Sequence, residues 1–290
     1  MELNHLRHFW AVARAGGFTS AARAIHVQQP ALSRAVRQLE GALGVTLFER
    51  EKRGVRLTKV GAEIFEACER IFQDVDNVRV LADAERHDCR GVVRFSASSE
   101  IASDLMPDVL ATYHRAHPDV WPMMFTGPST PMLDAIVRGD SELGFFFHLP
   151  RKREELAVRV LAKVPFKLVI RASDARSRAV RASFIGSREI DDSGTKSYPT
   201  IERIRRDVPE VKIRLSSNDA TARKRMVQAG LGVAILPTFM VKAELARGEL
   251  AELHRDERFR FDLHLVARAG RILPRAARVL LEHVKEQLLG

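Results

Sequence analysis

Between Gln28 and Gln38 the chain carries a cluster of polar and basic side chains whose types suit duplex DNA. Arg side chains pair well with guanine edges and Gln side chains with adenine edges, and both types also reach phosphates. The cluster comprises Gln28, Gln29, Ser33, Arg34, Arg37 and Gln38. This set favours the recognition of base edges and phosphates over the making or breaking of covalent bonds.

A single helix must position these side chains. Pro30 fits the first helical turn, where its missing N–H is not needed, and Gly44 suits a left-handed helix end. Between them, apolar residues recur at helical spacing and predict one buried face, formed by Leu32, Val36, Leu39 and Leu43. Taken alone, this pattern also fits a solvated amphipathic helix, so the neighbouring segments decide its interpretation.

The segments on either side complete a DNA-binding unit. An Ala-rich helix with Thr19 and Ser20 at its start precedes the polar helix, and a basic hairpin around Gly54 follows it. Helix, turn, second helix and hairpin in this order predict a winged helix-turn-helix that docks in the major groove. The predicted DNA contacts are Thr19, Ser20, Gln28, Gln29, Pro30, Ser33, Arg34, Arg37, Gln38, Arg50, Arg53 and Arg56.

An ordered set of motifs runs through this unit: Thr19-Ser20-Ala21-Ala22, Gln29-Pro30-Ala31-Leu32-Ser33, Leu39-Glu40, Leu43-Gly44, Leu47-Phe48, Arg50, Leu57-Thr58 and Gly61. In order and spacing it resembles the LysR-type transcriptional regulators of bacteria. Looser matches continue along the rest of the chain. The resemblance implies a sequence-specific regulator that responds to a small molecule and assembles as a homodimer or homotetramer that bends DNA.

Charge is distributed unevenly along the 290 residues, whose formal net charge is +10. Residues 1–60 hold ten Lys/Arg and four Asp/Glu, a balance of +6, whereas residues 61–90 hold four and eight, a balance of −4. A basic head suits polyanion binding through phosphate contacts. The remaining residues carry +8, which fits either attraction of an anionic ligand or an Arg-rich solvated surface.

Composition excludes several other classes of protein. No apolar run is long enough to cross a bilayer, and the N-terminal residues lack the pattern of a signal peptide, so we expect a cytoplasmic protein without membrane contact. Cys68 and Cys89 are too few and too far apart for a zinc site or a disulfide framework. No metal or cofactor is therefore expected.

Residues 59–90 are predicted to form a linker helix between the DNA-binding domain (1–58) and the rest of the chain. Its apolar residues are spaced alternately four and three apart, as in a coiled-coil seam, at Ile64, Cys68, Ile71, Val75 and Val78. A narrow apolar stripe needs a partner surface, and the same helix of a second subunit is the simplest candidate. The alternative is packing against the chain's own C-terminal domain.

Residues 91–290 alternate short apolar runs with helical patterns, which is typical of an α/β domain. The family resemblance implies two α/β lobes joined by two crossing strands, as in a periplasmic binding protein. We place the crossings near Leu161 and Val266, with lobe 1 at 91–161 and 267–290 and lobe 2 at 162–266. The segment from Arg171 to Arg181 is rich in charge and short, which suggests a trimmed second lobe.

A ligand should lie at the carboxyl ends of the strands, close to helix N-termini. Two turns rich in Ser and Thr meet this condition, the first at residues 96–100 and the second at residues 126–130. Their hydroxyl and N–H groups suit a carboxylate. Glu100 beside the first turn would either repel an anion or bind an amine. Ordinary helix capping is the alternative for each residue alone. The predicted effector contacts are Ser98, Ser99, Glu100, Thr126, Ser129, Thr130, Phe147, His148, Ser187 and Asn218.

Two other functions, that of an enzyme and that of an architectural DNA-binding protein, compete with that of a ligand-responsive regulator. An enzyme is disfavoured because the chain contains no HExxH, GxSxG or P-loop motif, and Gly230-Leu231-Gly232 follows a helix instead of a strand. An architectural DNA-binding protein would use its C-terminal domain only for oligomerisation. The expected partners are double-stranded DNA, a small-molecule effector, further copies of the chain and RNA polymerase.

Overall fold

The computed structural model describes residues 2–50, 54–84, 89–149, 153–186, 204, 209–253 and 259–289. The chain divides into two compact units, Met1–Asp83 and Ala84–Gly290. Among the described residues no helix is both long and apolar enough to cross a membrane.

Unit 1 is helical with a small hairpin, as the sequence predicts. Its elements are α1 (Leu3–Ala15), α2 (Phe18–Ala24), α3 (Gln29–Leu43), β1 (Phe48–Arg50), β2 (Val55–Leu57) and α4 (Lys59–Ala84). Strands β1 and β2 pair antiparallel and form the wing. The core of the unit contains Leu6, Phe9, Val12, Leu32, Leu39 and Leu47.

Helix α3 confirms the boundaries and the buried face predicted from its apolar spacing. Pro30 lies in its first turn, and Gly44 ends it with a left-handed φ of 68°. Leu32, Val36 and Leu39 are buried, and Ala35 joins them, while Leu43 is half-buried. The apolar stripe therefore fixes the orientation of α3 and leaves its polar side facing solvent.

The start of α4 is held by hydrogen bonds to the segment that joins α3 to the wing. Thr58 Oγ1 accepts a hydrogen bond from Gly61 N at 2.9 Å, which confirms Thr58 as the predicted cap. Glu40 Oε1 accepts from Leu47 N at 2.8 Å and so holds the chain between α3 and the wing. Gly61 is buried against the backbone of Leu47.

Replacing Gly61 by Ala should destabilise unit 1 by about 1–3 kcal/mol, because of overpacking. A Cβ atom there would lie 2.2 Å from the Leu47 carbonyl oxygen, a backbone atom that cannot simply rotate away. The matched control is Gly41→Ala in α3, where a Cβ atom would meet nothing within 4 Å. That control should be stabilised by about 0.5–1 kcal/mol through helix propensity.

The measurement for this pair of variants is denaturant unfolding followed by the fluorescence of Trp10, in a Trp121→Phe background. Trp10 donates a hydrogen bond to Glu69 and its ring lies 5.3 Å from that of Phe72, so it reports on unit 1. Equal effects of the two alanines would show that the α4 turn is not tightly packed.

The stripe predicted along α4 divides into two parts. Cys68 is 1% exposed and packs in the core of unit 1, with Ile64 beside it, so these two residues are covered within their own chain. Burial raises the pKa of the Cys68 thiol to about 11, which makes it unreactive. Ile71 and Val78, further along the stripe, are exposed. Residues 85–88 of the predicted linker helix lie outside the described residues.

Unit 2 is an α/β structure. Its elements are β3 (Gly91–Ala97), α5 (Ser99–Asp104), α6 (Met106–Ala116), β4 (Val120–Phe125), α7 (Ser129–Arg138), β5 (Leu143–Phe146), β6 (Leu156–Arg171), a 3₁₀ turn (Ala172–Asp174), α8 (Arg178–Arg181), β7 (Ser183–Gly186), β8 (Lys212–Ser216), α9 (Ala220–Gln228), β9 (Ala234–Pro237), α10 (Thr238–Ala246), β10 (Leu250–Glu252), β11 (Arg260–Arg268) and α11 (Arg275–Leu289).

The strands of unit 2 form a seven-stranded sheet and a separate parallel pair, β7 and β8. The sheet order is β10-β6-β11-β5-β3-β4, and β9 also pairs with β6. Strands β4, β3 and β5 run parallel, so their carboxyl ends meet at the same edge. We call β3–β5, α5–α7 and α11 lobe 1, and β7–β10 with α8–α10 lobe 2.

Strands β6 and β11 run through both lobes as an antiparallel pair. Leu161 is the unpaired residue of a bulge in this ladder, at the position predicted for the first crossing. The second crossing was predicted near Val266, but Val266 pairs with Val158, and the residues opposite the bulge are Leu263 and His264. The bulge thus lies two to three residues before Val266, and both crossing positions stay predictions. Cross-strand register is set by pairing and leaves no local mark in the sequence.

Two other segments of unit 2 can be compared with what the sequence predicts. The helix expected from Ile101 to His114 is interrupted at Leu105, because Pro107 disfavours a continuous helix through the residues before it. Between Arg171 and Arg181 the structure has only the 3₁₀ turn and the four-residue helix α8, which confirms that no full helix follows β6.

Candidate DNA interface and effector cleft

The polar side of α3 is open to solvent. Gln28, Gln29, Pro30, Arg34, Arg37 and Gln38 are exposed, and Ser33 is half-buried. Arg37 Nε donates to the Ser33 carbonyl oxygen at 3.3 Å, a weak tether within the helix. Arg34 and the Gln side chains thus stand along one accessible helix surface, which can present donors and acceptors to base edges.

The residues predicted on α2 combine exposure with a local structural role. Thr19 and Ser20 are both exposed. Ser20 Oγ lies 2.9 Å from the Ala15 carbonyl oxygen and 3.0 Å from that of Gly17, so its hydroxyl donates within the α1–α2 turn. Ser20 can still accept a hydrogen bond, but its donor is already used.

The wing carries the remaining predicted contacts. Arg56 Nη2 lies 2.6 Å from Glu49 Oε2, with side chains 67% and 51% exposed, so this pair stabilises little and leaves Arg56 able to turn to a phosphate. Arg50 joins the wing ladder through backbone pairing with Val55. Arg53 lies outside the described residues.

A cavity of about 250 Å³ opens in unit 2 between the two lobes. It lies beyond the carboxyl ends of β3 and β4, where parallel α/β sheets bind ligands. Its lining comprises Ser99, Ala102, Ser103, Thr126, Gly127, Asn218 and Asp219. Three of these were predicted, namely Ser99, Thr126 and Asn218, and their hydroxyl and amide groups can hold a small polar molecule.

Among the described residues, the other predicted effector contacts do not line this cavity. Ser98 and Ser129 are buried and Thr130 is exposed. The Phe147 ring packs edge-on against Phe166 at 5.0 Å, as part of an aromatic cluster beside the crossing strands. His148 follows it and is half-buried, and Ser187 lies outside the described residues.

Sequence reasoning missed four residues of the lining, namely Ala102, Ser103, Gly127 and Asp219. Ser103 lies one helical turn after Ser99, so it shares the face of α5 that was already of interest. Asp219 follows Asn218, and its Oδ1 caps α9 by accepting from Ala222 N at 3.0 Å. A search one turn along each candidate helix would have found Ser103.

Glu100 does not present an unpaired charge to the cavity, contrary to the sequence expectation. Arg223 Nη2 of lobe 2 donates to Glu100 Oε1 at 2.9 Å, and the two side chains are only 6% and 15% exposed. The carboxylate that would repel an anion or bind an amine is therefore neutralised by a partner 123 residues away.

A second charge cluster lies next to this pair. Lys224 Nζ lies 3.3 Å from Asp104 Oδ1 and 3.1 Å from Glu244 Oε1. Burial raises the pKa of the Asp104 carboxyl above its ordinary value, against the lowering effect of Lys224 and with a further rise from Glu244. The native state thus holds a proton on Asp104 more tightly than the unfolded chain does.

The raised pKa of Asp104 predicts how the stability of unit 2 depends on pH. The contribution of Asp104 to the free energy of unfolding should rise as the pH falls from neutral through that pKa, and this gain should be complete below the unfolded value of 3.8. Asp104→Asn should show a smaller gain on acidification. Denaturant unfolding between about pH 4 and pH 7 measures it, with Asp108→Asn on α6 as the exposed control. Parallel curves for Asp104→Asn and wild type would contradict the assignment.

Metal chemistry finds no support in this geometry. In the parts of the chain that the structure describes, no three His, Cys, Asp or Glu residues come together in a group that could hold a metal ion. Cys89 is half-buried, and burial raises the pKa of its thiol.

Two family models match the chain, one within each of its two units. The family model for the bacterial regulatory helix-turn-helix protein, lysR family, matches residues 3–62, and the model for the LysR substrate binding domain matches residues 86–289. HcaR, the Hca operon transcriptional activator of Escherichia coli K12, is 35% identical over 149 residues, which cover 51% of this chain and 50% of that protein.

Longer alignments extend over nearly the whole chain. The transcriptional regulator PtxR of Pseudomonas aeruginosa is 29% identical over 302 residues, covering 99% of this chain and 93% of that protein. A full-length OxyR variant from Pseudomonas aeruginosa has the same fold, with a TM-score of 0.68, 24% identity and coverage of 98% and 95% of the two chains. The chain therefore belongs to the LysR family, as a DNA-binding transcriptional regulator with a substrate-binding domain.

Proposed function

We propose that this regulator reads its operator with α3 in the major groove and the wing on the adjacent phosphate backbone. The observation that carries the proposal is the two-sided character of α3, whose apolar stripe is buried while Gln29, Arg34 and Gln38 are exposed. On this view Gln and Arg contact base edges, and Arg56 and the other wing residues contact phosphates. The domain limits that go with it are 1–58, 59–90 and 91–290.

The proposed active form is a homodimer paired along α4. Ile71 is 39% exposed and Val78 is 65% exposed, which is unusual for large apolar side chains in a helical stripe. Pairing with the same helix of a second copy would cover both. A two-fold dimer predicts a pseudo-palindromic operator with half-sites about one helical turn, or a multiple of it, apart.

Assembly of two dimers into a tetramer is proposed through unit 2. Strand β4 is at the end of the sheet order and carries Trp121, Met124 and Phe125, which are 69%, 36% and 45% exposed. An apolar patch of this kind favours burial against another protein surface. We propose that the tetramer bends promoter DNA in the cytoplasm and acts on RNA polymerase there.

The proposed effector is a small polar molecule, such as a carboxylate, bound in the cavity between the lobes. Hydroxyl groups of Ser99, Ser103 and Thr126 offer the hydrogen bonds. Arg223 compensates the charge of Glu100 nearby, and the carboxylate of Asp219 in the lining accepts from Ala222 N at the start of α9. A ligand acts on DNA binding only if it prefers one arrangement of the lobes.

Screening metabolites by thermal shift tests this proposal with the full chain and its operator. An effector should raise the melting temperature and also change the operator footprint. A footprint that no metabolite alters, across carboxylates, amines and neutral sugars, would favour an architectural role for unit 2.

A further inference from the structure

Helices α5 and α9 face each other across the two lobes and are joined by four polar contacts. Ser99 Oγ accepts from Ala220 N at 3.1 Å, and Ser103 Oγ lies 3.0 Å from Thr221 Oγ1. The other two contacts are ion pairs, at 2.9 Å and 3.3 Å. We call the eight residues involved the latch: Ser99, Glu100, Ser103, Asp104, Ala220, Thr221, Arg223 and Lys224.

The spacing of the latch shows that it is built from matched helix faces. On α5 its members recur after one turn, as Ser99 with Ser103 and Glu100 with Asp104. The hydroxyl pair contacts Ala220 and Thr221 on α9, and the carboxylate pair contacts Arg223 and Lys224. The ion pair of Glu100 and Arg223 is the most shielded contact, with side chains 15% and 6% exposed. Removal of one partner from a shielded ion pair is strongly destabilising, because the other charge is left buried without compensation.

The latch uses atoms that the effector also needs. Ser99 lines the cavity, yet its hydroxyl accepts from Ala220 N and lies 3.4 Å from the Asn218 carbonyl oxygen. Ser103 lines the cavity as well, and its hydroxyl contacts Thr221. A carboxylate bound to these two hydroxyls needs their protons, so it competes with the contacts of Ser99 with the Asn218 carbonyl oxygen and of Ser103 with Thr221.

We propose that the latch holds the lobes together in the ligand-free protein and that the effector binds the unlatched state. The inference rests on the proposed effector cleft and adds its mode of regulation. Effector binding and latch closure then compete, so the stability of the latch sets the apparent affinity for the effector. If the unlatched state holds roughly 0.1–10% of the molecules, breaking the latch should raise that affinity by about 10- to 1000-fold.

Hydrogen exchange at Ala220 measures the latch without any ligand. Ala220 is the first residue of α9, so its N–H has no acceptor within the helix and is bonded to Ser99 Oγ instead. In the full-length Arg223→Met variant, exchange at Ala220 should become at least about tenfold faster, in line with the population shift above. Arg178→Met is the matched control, since Arg178 forms an exposed ion pair with Glu210 on the same lobe.

A disulfide that locks the latch closed gives a second test. This test is valid even where the Arg223→Met variant does not fold. Ser103→Cys with Thr221→Cys places two thiols where the hydroxyl oxygens are 3.0 Å apart, a separation compatible with a bridge. The oxidised protein should slow exchange at Ala220 and keep the operator footprint of ligand-free wild type. Arg223→Met should give a different footprint, and reduction should return the cysteine variant to wild-type exchange.

These outcomes separate the latch from the proposed function. Unchanged exchange at Ala220 in both variants, or a bridge that forms only after denaturation, would overturn the latch. So would wild-type footprints for both variants on an operator that wild type selects. If wild type selects no operator at all, the DNA-binding proposal fails, while the exchange result at Ala220 still decides whether the latch exists.

Discussion

Replacing Arg34 and Gln29 together by Ala should remove most of the preference for the operator, at a loss of about 2–6 kcal/mol in specific binding. Each side chain is expected to make one base contact worth about 1–3 kcal/mol. Both are exposed on the polar side of α3, so their truncation should leave the fold intact. Binding to scrambled duplex should change much less, because phosphate contacts persist.

The measurement is a comparison of operator and scrambled DNA at one fixed salt concentration. Arg7→Ala is the control, since Arg7 is an exposed Arg on α1 of the same unit. Equal losses on both DNAs would assign Arg34 and Gln29 to the backbone. No loss on either would remove both residues from the interface.

Ile71→Asp should dissociate the dimer. The substitution occurs in both copies of α4, so the interface loses two apolar contacts, each worth about 1.5–3 kcal/mol on burial. It also brings two carboxylates into a surface without compensating charge. The expected rise in the dimer dissociation constant is therefore at least about 100-fold, since 1.4 kcal/mol corresponds to a factor of ten.

Sedimentation of the full chain tests this result. Leu3→Asp serves as the control, because Leu3 is 51% exposed on α1 and lies outside the α4 stripe. Cys68 is unsuitable for such a test, since it is buried within its own unit and its substitution would damage that core. An Ile71→Asp variant that sediments like wild type would show that the stripe packs elsewhere.

Local patterns were sufficient to predict unit 1. The limits of α3, its buried face and the Thr58 cap follow from the spacing of Leu32, Val36 and Leu39 and from single residue types, all within one segment. In unit 2, the break at Leu105 was not predicted, although Pro107 marks it. The exposure of Ile71 and the burial of Cys68 could not be predicted from the sequence. Both residues occupy equivalent positions in the stripe, and only tertiary packing distinguishes them.

The cleft could be predicted only in part, for a physical reason. Ser99 and Asn218 were found because turns after strands suit ligands in α/β sheets. The pairing of Glu100 with Arg223 joins residues 123 positions apart, and no local pattern reveals such a contact. The packing of Phe147 against Phe166 could not be predicted for the same reason, because it depends on how the strands assemble.

Selection from a random pool of duplex oligonucleotides by the full-length protein tests the central claim, that α3 reads DNA sequence. We predict enrichment of a pseudo-palindromic site, and loss of that enrichment in the Arg34→Ala, Gln29→Ala double variant. A pool that remains random after selection by folded, paired wild-type protein would contradict the account.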